Sequence, residues 1–351
     1  MNRADVSIPE APTTTAAVFQ MITGHYLSTA IHTAAGLRLA DAMDEPVVSH
    51  TVLAERTGTH PESLLRLLCL LATAGLVTDE GDGCFSLTDA GRLLREDGED
   101  SLHAVALMHG GPGHVQRLFE LGERLKSAPK TRGAEEGANP FAQMPPHIAA
   151  IFNRAMTFFS RHTAQAVIDA YDFGGFRSLV DVGGGEGSLL AAILRATPGL
   201  RGVLFDLPSV AAAAERTLAD AGLAERGEVL GGDFFSAVPA GHDAYLLKNV
   251  VHDWDDERSL TLLRNIRDAM KPESRLLLVE SVRPARFDTG VASTLTAYSH
   301  LGMLLGGGAE RSEREYAELL ADAGLGLTRV VPARPAWTGE ATVSVIEATR
   351  N

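Results

Sequence analysis

His252 stands in the stretch KNVVHDWDDE (248–257), followed within five positions by three aspartates and a glutamate. Such a cluster can be a proton acceptor, a metal site, or polar decoration where a strand turns into a helix. A free imidazole titrates near ~6.5 and a phenol near ~10, so a positioned histidine can take a phenolic proton as a reaction proceeds. The metal reading needs converging carboxylates. Asp253, Asp255 and Asp256 diverge in a strand-to-helix turn, and Asp255 has the place of an N-cap, with Asp256 and Glu257 in the first helical turn. No metal is expected. Carboxylates beside an imidazole fix its tautomer and stabilise its cation.

A second constellation points to a cofactor. LVDVGGGEGSLLAAI (179–193) sets Gly183, Gly184, Gly185 and Gly187 between a strand and a helix. Glycine there permits a left-handed backbone and a ligand lying against it. Asp206, ending the next strand 23 residues after Gly183, is placed to bind two ribose hydroxyls. A nicotinamide dinucleotide would set its pyrophosphate on the helix N-terminus. Asp181 and Glu186 make that turn acidic, which opposes phosphate. A ligand with an adenosine, no phosphate and a positive centre fits, and S-adenosylmethionine is the expected cofactor. In GGDFF (231–235), Asp233 can accept from an adenine amine and Phe234 can cover the ring.

The elements that must position these groups are legible as patterns. From 178 onward, short buried strands alternate with helices, the mark of an α/β, doubly wound, mostly parallel sheet, whose ligands sit beyond the strand C-termini at the switch point. Residues 172–351 are expected to form this Rossmann-like domain, and 111–171 a helical connector with a flexible patch at 127–140. Residues 16–110 are expected to form a mostly helical winged-helix domain, and 1–15 a disordered tail. Within it, HTAAGLRLADAM (32–43) is expected as one amphipathic helix, and 59–75 as another with Thr59 at its N-cap and Cys69 in the core. A wing turns around Gly81-Asp82-Gly83.

A winged helix suggests DNA, but residues 36–100 carry five arginines against thirteen acidic residues, and the whole chain is at −14. That balance excludes a phosphate-backbone partner. The leucine-rich layer suits a dimer interface instead. The start lacks a basic-then-apolar signal pattern, and no uncharged apolar run approaches the ~20 residues of a membrane span, so no membrane partner and a cytoplasmic location are expected.

The stretches LVDVGGGEG, FDLPSV, GGDFF, LKNVVHDWDDE, LLLVES and GGGAERSEREY together resemble the small-molecule O-methyltransferases of the caffeic-acid type, over roughly 20–350. That family includes bacterial relatives that modify aromatic polyketides and other antibiotics. The resemblance implies an S-adenosylmethionine-dependent homodimer, joined by its N-terminal dimerisation domain, that methylates a hydroxyl of an aromatic natural product. By position, Gly183, Asp206, Asp233, Phe234 and Lys248 match the family's cofactor contacts, and Ser160 a contact from the connector. His252 matches the base, and Glu280 and Glu310 its flanking acids. Trp254, Met156 and Met303 match positions around the cofactor and the acceptor pocket. The chain departs from the pattern at SHLGML, where His300 replaces a frequent aspartate, and LLGGGAERS is shorter by about one residue. Both changes border the acceptor. The alternatives are a cofactor-binding relative that hydroxylates or decarboxylates, an N-methyltransferase, and a ligand-sensing winged-helix regulator.

Overall fold

The computed structural model describes residues 14–98, 100–126 and 141–351. The described residues divide into two compact units: those up to Glu120 with Pro145–Phe158, and those from Leu121 to Met144 with Phe159 onward.

The first unit is built from α1 (Thr15–Gly36), α2 (Leu39–Ala42), β1 (Val48–Ser49), α3 (His50–Thr57), α4 (Pro61–Thr73), β2 (Val77–Gly81), β3 (Cys84–Leu87), α5 (Asp89–Arg92), α6 (His103–Gly110) and α7 (Pro112–Phe119). The expected tail, 1–15, falls outside the described residues except for its last two. Thr14 caps α1 by accepting from the Ala17 N–H (3.2 Å), and Thr15 opens the helix. The expected patch at 127–140 also lies outside the described residues. β1, β3 and β2 form a small antiparallel sheet whose wing turns at Gly81, Asp82 and Gly83, all left-handed.

Three local expectations for this unit are corrected. Residues 32–43 are two helices, because Arg38 adopts φ 52° and ends the run. His60, not Thr59, is the N-cap of α4, ahead of Pro61; the Thr59 hydroxyl pairs with that of Thr57 (3.0 Å). Cys69 is exposed. The buried stripe of α4 runs through Leu64, Leu68 and Leu71, and the residue after Leu68 is rotated about 100° off it.

The second unit adds α8 (Leu121–Arg124) and the later part of α9 (Pro146–Ala170), then β4 (Ser178–Val182), α10 (Ser188–Ala196), β5 (Arg201–Asp206), α11 (Pro208–Asp220), β6 (Gly227–Gly231) and β7 (Ala244–Lys248). A 3-10 turn over Val251–Asp253 leads to α12 (Asp256–Ala269), β8 (Arg275–Glu280), α13 (Val291–Gly306), α14 (Glu313–Asp322), β9 (Leu325–Ala333) and β10 (Val343–Arg350). The seven strands run β6-β5-β4-β7-β8-β10-β9. The first five are parallel, and β10 is antiparallel to both β8 and β9.

β4 shows why this sheet forms. Leu179 faces one buried apolar layer with Leu190 and Ile193, while Val180 and Val182 face the other with Leu262 and Ile266. Burial on both faces produces the near-continuous apolar run of a parallel strand, and each such side chain contributes roughly 1.5–3 kcal/mol. The order also sets the switch point. The chain leaves β4 toward β5 on one side and returns to β7 on the other, so a crevice opens between β4 and β7 at their C-terminal ends. Asp206, Lys248 and Glu280 end their strands at that edge, and Asp181 is the next-to-last residue of β4.

Candidate active site

The glycine loop leaves β4 with Gly183, Gly185 and Gly187 all left-handed (φ 72°, 59° and 82°). A Cβ on Gly184 would come 2.6 Å from an oxygen of Asp181, and one on Gly183 would come 2.9 Å from Val250. The loop is therefore a backbone surface held free of side chains. Asp206 supports it from β5: one oxygen accepts from the Gly185 N–H (2.7 Å), the other from its neighbour Leu207 (2.6 Å). Burial pushes the Asp206 carboxyl up, and those two N–H donors oppose the rise.

Asp181 lies under the loop, 1% exposed, and neither carboxylate oxygen has a hydrogen-bond partner. Its carboxyl is pushed up to about 7, first by burial and then by Asp206, with Lys248 opposing. A buried carboxylate left unpaired favours a cation beside it. The cradle, the Asp206 carboxylate and this unpaired acid together fit a cationic adenosine ligand such as S-adenosylmethionine, and they suit a pyrophosphate poorly. Lys248, at the end of β7, is lowered to about 8 by burial against the pull of Glu280 and Asp181. Asp233 accepts from the Phe235 N–H (2.9 Å), which orders the turn that carries Phe234. Trp254 is enclosed, 1% exposed, with Phe235 edge-on at 4.7 Å, Phe141 at 5.9 Å and Phe234 at 6.2 Å. It backs the Phe234 ring.

His252 is reached through Asn249, whose left-handed backbone (φ 52°) turns the chain out of β7. Asn tolerates that conformation because its short polar side chain can bond locally. The imidazole is buried, and its Nδ1 lies 2.8 Å from Oε1 of Glu310 and 3.5 Å from Oε2 of Glu280. Among the described residues nothing hydrogen-bonds its Nε2. Glu280 is itself held by the N–H groups of Val250 (3.1 Å) and Val251 (2.9 Å), which begin the turn bearing His252. Glu310 accepts from the Ser299 hydroxyl on α13, and its own N–H donates to Nδ1 of His300 (3.2 Å). Burial alone would lower the His252 imidazole. Glu310, Glu280 and Asp253 outweigh it and push it up to about 10. Glu280 is pushed up to about 7 by burial and by Glu310, against His252 and its two N–H donors. Glu310 ends below its ordinary value because His252, Ser299 and His300 together outweigh its burial.

Asp255 does cap α12, accepting from the Arg258 N–H (2.9 Å), with Asp256 and Glu257 in the first turn. The acids adjacent in sequence thus serve the helix, while the acids at the imidazole arrive from β8 and from the loop before α14. His300 shares that loop's hydrogen bonding. On the same helix, the Met303 carbonyl takes the Gly308 N–H (3.0 Å). Ser160 lies partly buried on α9 in this unit, its carbonyl accepting from the Thr163 hydroxyl (3.3 Å), with no hydrogen bond to the glycine loop. Met156 belongs to the first unit. Ser299, Gly308 and Arg311 were missed as site residues. Only the position of Arg311 directly after Glu310 could have drawn attention to it, and nothing in its spacing announces its burial.

This sheet order, with β10 reversed beside β8 and a cradle for a cationic adenosine at the switch point, defines the Rossmann-like methyltransferases. The family model for the O-methyltransferase domain matches residues 129–326, and that for the O-methyltransferase dimerisation domain matches residues 19–97. A mitomycin biosynthesis 6-O-methyltransferase of Streptomyces lavendulae is 39% identical over 97% of this chain and 98% of its own. A phenazine O-methyltransferase of Lysobacter antibioticus is 38% identical over 90% of this chain and 92% of its own. Among solved structures, an O-methyltransferase of neocarzinostatin biosynthesis, in complex with S-adenosylmethionine and 2-hydroxy-5-methyl naphthoic acid, superposes with a TM-score of 0.77 at 31% identity, covering 93% of this chain and 96% of that one. The chain belongs to the O-methyltransferase family with an N-terminal dimerisation domain, and it is an S-adenosylmethionine-dependent O-methyltransferase. No helix among the described residues is long and apolar enough to cross a membrane.

Proposed function

We propose that the enzyme methylates a phenolic or enolic hydroxyl of an aromatic natural product, with His252 as general base and no metal ion in the reaction. The observation that carries this reading is one imidazole nitrogen, Nδ1, caught between two buried carboxylates while Nε2 stays free for a hydroxyl. Nδ1–H donates to Glu310, so Nε2 is the acceptor in the neutral form of the ring, which the raised imidazolium reaches as pH approaches 10. Taking a proton there makes an imidazolium that Glu280 and Glu310 stabilise, and its pKa of about 10 lies close to that of a phenol. The proton transfer is therefore nearly balanced, the condition in which a positioned base contributes ~10²–10⁴-fold. When bound, S-adenosylmethionine supplies a methyl group on a positively charged sulfur. Gly183 and its loop, Asp206, Asp233 and Phe234 would hold its adenosine, with Lys248, Trp254 and Ser160 around it, and Asp181 would face its positive end. His300, whose Nδ1 already accepts a backbone N–H, keeps Nε2–H as a donor toward the acceptor, with Met303 on the same helix.

His252, Glu280 and Glu310 present ligand atoms within 4.8 Å of one another, a spacing that would also admit a divalent cation. The test of both points is transfer of labelled methyl to a panel of hydroxylated quinones, naphthoates, polyketides and phenylpropanoids, before and after dialysis against chelator. Full activity after dialysis and a loss of ~10²–10⁴-fold in His252→Ala are expected. Unchanged turnover in that variant overturns the base assignment, and loss on dialysis overturns the metal-free one.

For assembly, we propose a cytoplasmic homodimer joined through α1, which exposes Phe19, Ile22 and Tyr26 on one face (64%, 68% and 64%). Ile22→Glu should sediment as a monomer; a persistent dimer would place the contact elsewhere.

A further inference from the structure

We propose that Arg311 is a positioning residue that clasps the turn bearing His252 and so holds the imidazole against Glu310. This rests on His252 being the base. Arg311 is 4% exposed, and every hydrogen bond of its side chain goes to the segment around His252. Nη1 donates to the Val251 carbonyl (3.1 Å), and Nη2 to the Trp254 carbonyl (2.9 Å), so the guanidinium bridges the backbone on both sides of His252. Nη2 also reaches Asp256 (2.7 Å) and the Ser259 hydroxyl (3.4 Å), and Nε reaches Asp256 (3.1 Å), tying the first turn of α12 into the same fork. A guanidinium is suited to this because its donors are planar and fixed, whereas an ammonium is a point charge on a flexible stem.

The neighbours of Arg311 show what the clasp aligns. The Ala309 N–H donates to the His252 carbonyl (2.9 Å), and Gly308 passes so close that a Cβ there would strike that carbonyl. Residues 308–311 and 251–256 thus meet at Gly308, Ala309 and Arg311, and Glu310 lies between the last two. The imidazole–carboxylate contact spans 58 positions of sequence. Its length is set by how firmly the two backbones are held, and Arg311 makes the largest share of that grip. Asp256, mostly exposed, is a screened counterion. The two carbonyls do the orienting.

The test is Arg311→Met and Arg311→Lys, with the His252 ring titrated by NMR in the protein without acceptor and with methyl transfer measured across pH. For Arg311→Met, the His252 midpoint should fall by about one unit as the imidazolium loses its tight carboxylate. The same variant should lose roughly 10–100-fold in kcat, with the KM for S-adenosylmethionine within about twofold of wild type. Arg311→Lys should recover part of both. A merely structural arginine would lower the folded fraction and leave the midpoint and pH profile of the surviving enzyme unchanged, and that result overturns the proposal. If Arg311→Met does not fold, an unshifted midpoint in Arg311→Lys with full kcat overturns it equally. Activity surviving in His252→Ala would instead fault the base assignment, whatever the Arg311 variants do.

Discussion

Glu310→Gln isolates the charge beside His252. The amide oxygen can still accept from Nδ1–H, so the hydrogen bond survives and only the negative charge is lost. At 2.8 Å the full Coulomb attraction is about 6 kcal/mol at an effective dielectric of about 20. That is a ceiling, because Glu280 stays at 3.5 Å and relaxes toward the imidazolium once Glu310 no longer competes for it. An opposite charge at such range shifts a pKa by ~1–3 units, and about 2 is expected here. The His252 imidazolium, pushed up to about 10 in the wild type, should therefore titrate about 2 units lower. The assay is a ¹H–¹⁵N titration of the ring in the cofactor-free protein, paired with kcat/KM for the acceptor from pH 6 to 11. The acid limb should move down with the ring midpoint. The plateau should fall about tenfold or more, because a weaker base transfers the proton less readily. A midpoint that stays within a few tenths of wild type would refute the claim that Glu310 sets the basicity of His252.

Other outcomes follow from the same geometry. Gly308→Ala should cost at least ~10-fold in kcat while S-adenosylmethionine binding by calorimetry is retained, because the new Cβ meets the His252 carbonyl and pushes the two segments apart. Asp206→Ala should weaken S-adenosylmethionine binding by ~10–100-fold, since it removes a charged acceptor and loosens the Gly185 loop; calorimetry with unchanged affinity would refute the ribose assignment. The contribution of His252 to stability should depend on pH in one direction. The folded His252 is raised above its unfolded ~6.5, so its contribution is complete below that value and is lost as pH rises through about 10. Melting temperature should fall across that window, and by less in His252→Gln.

Much of this protein was legible in its sequence because the signals are local. The glycine run after an apolar strand, an acid at the end of the next strand, and Asp255 before α12 each act within a few residues of themselves, and backbone sterics or capping read them directly. The alternation of apolar runs with helical periods implied the doubly wound sheet, since a strand buried on both faces must be apolar throughout. Local signals also failed in small ways. Cys69 sits one residue off the buried stripe of α4, and Arg38 breaks a helix with a backbone angle its side chain does not announce.

What only the tertiary structure decided is how closely Glu280 and Glu310, the acids the resemblance named, are buried against His252. Its sequence neighbours Asp255 and Asp256 point into a helix start and an arginine, while Glu280 and Glu310 reach it across 28 and 58 positions. Strand order brings β8 beside β7, and the clasp of Arg311 with the close pass of Gly308 brings the last acid in. No residue type states that two carboxylates will be buried against one nitrogen. Desolvation and proximity, which make that imidazole a strong base, exist only once the chain has folded.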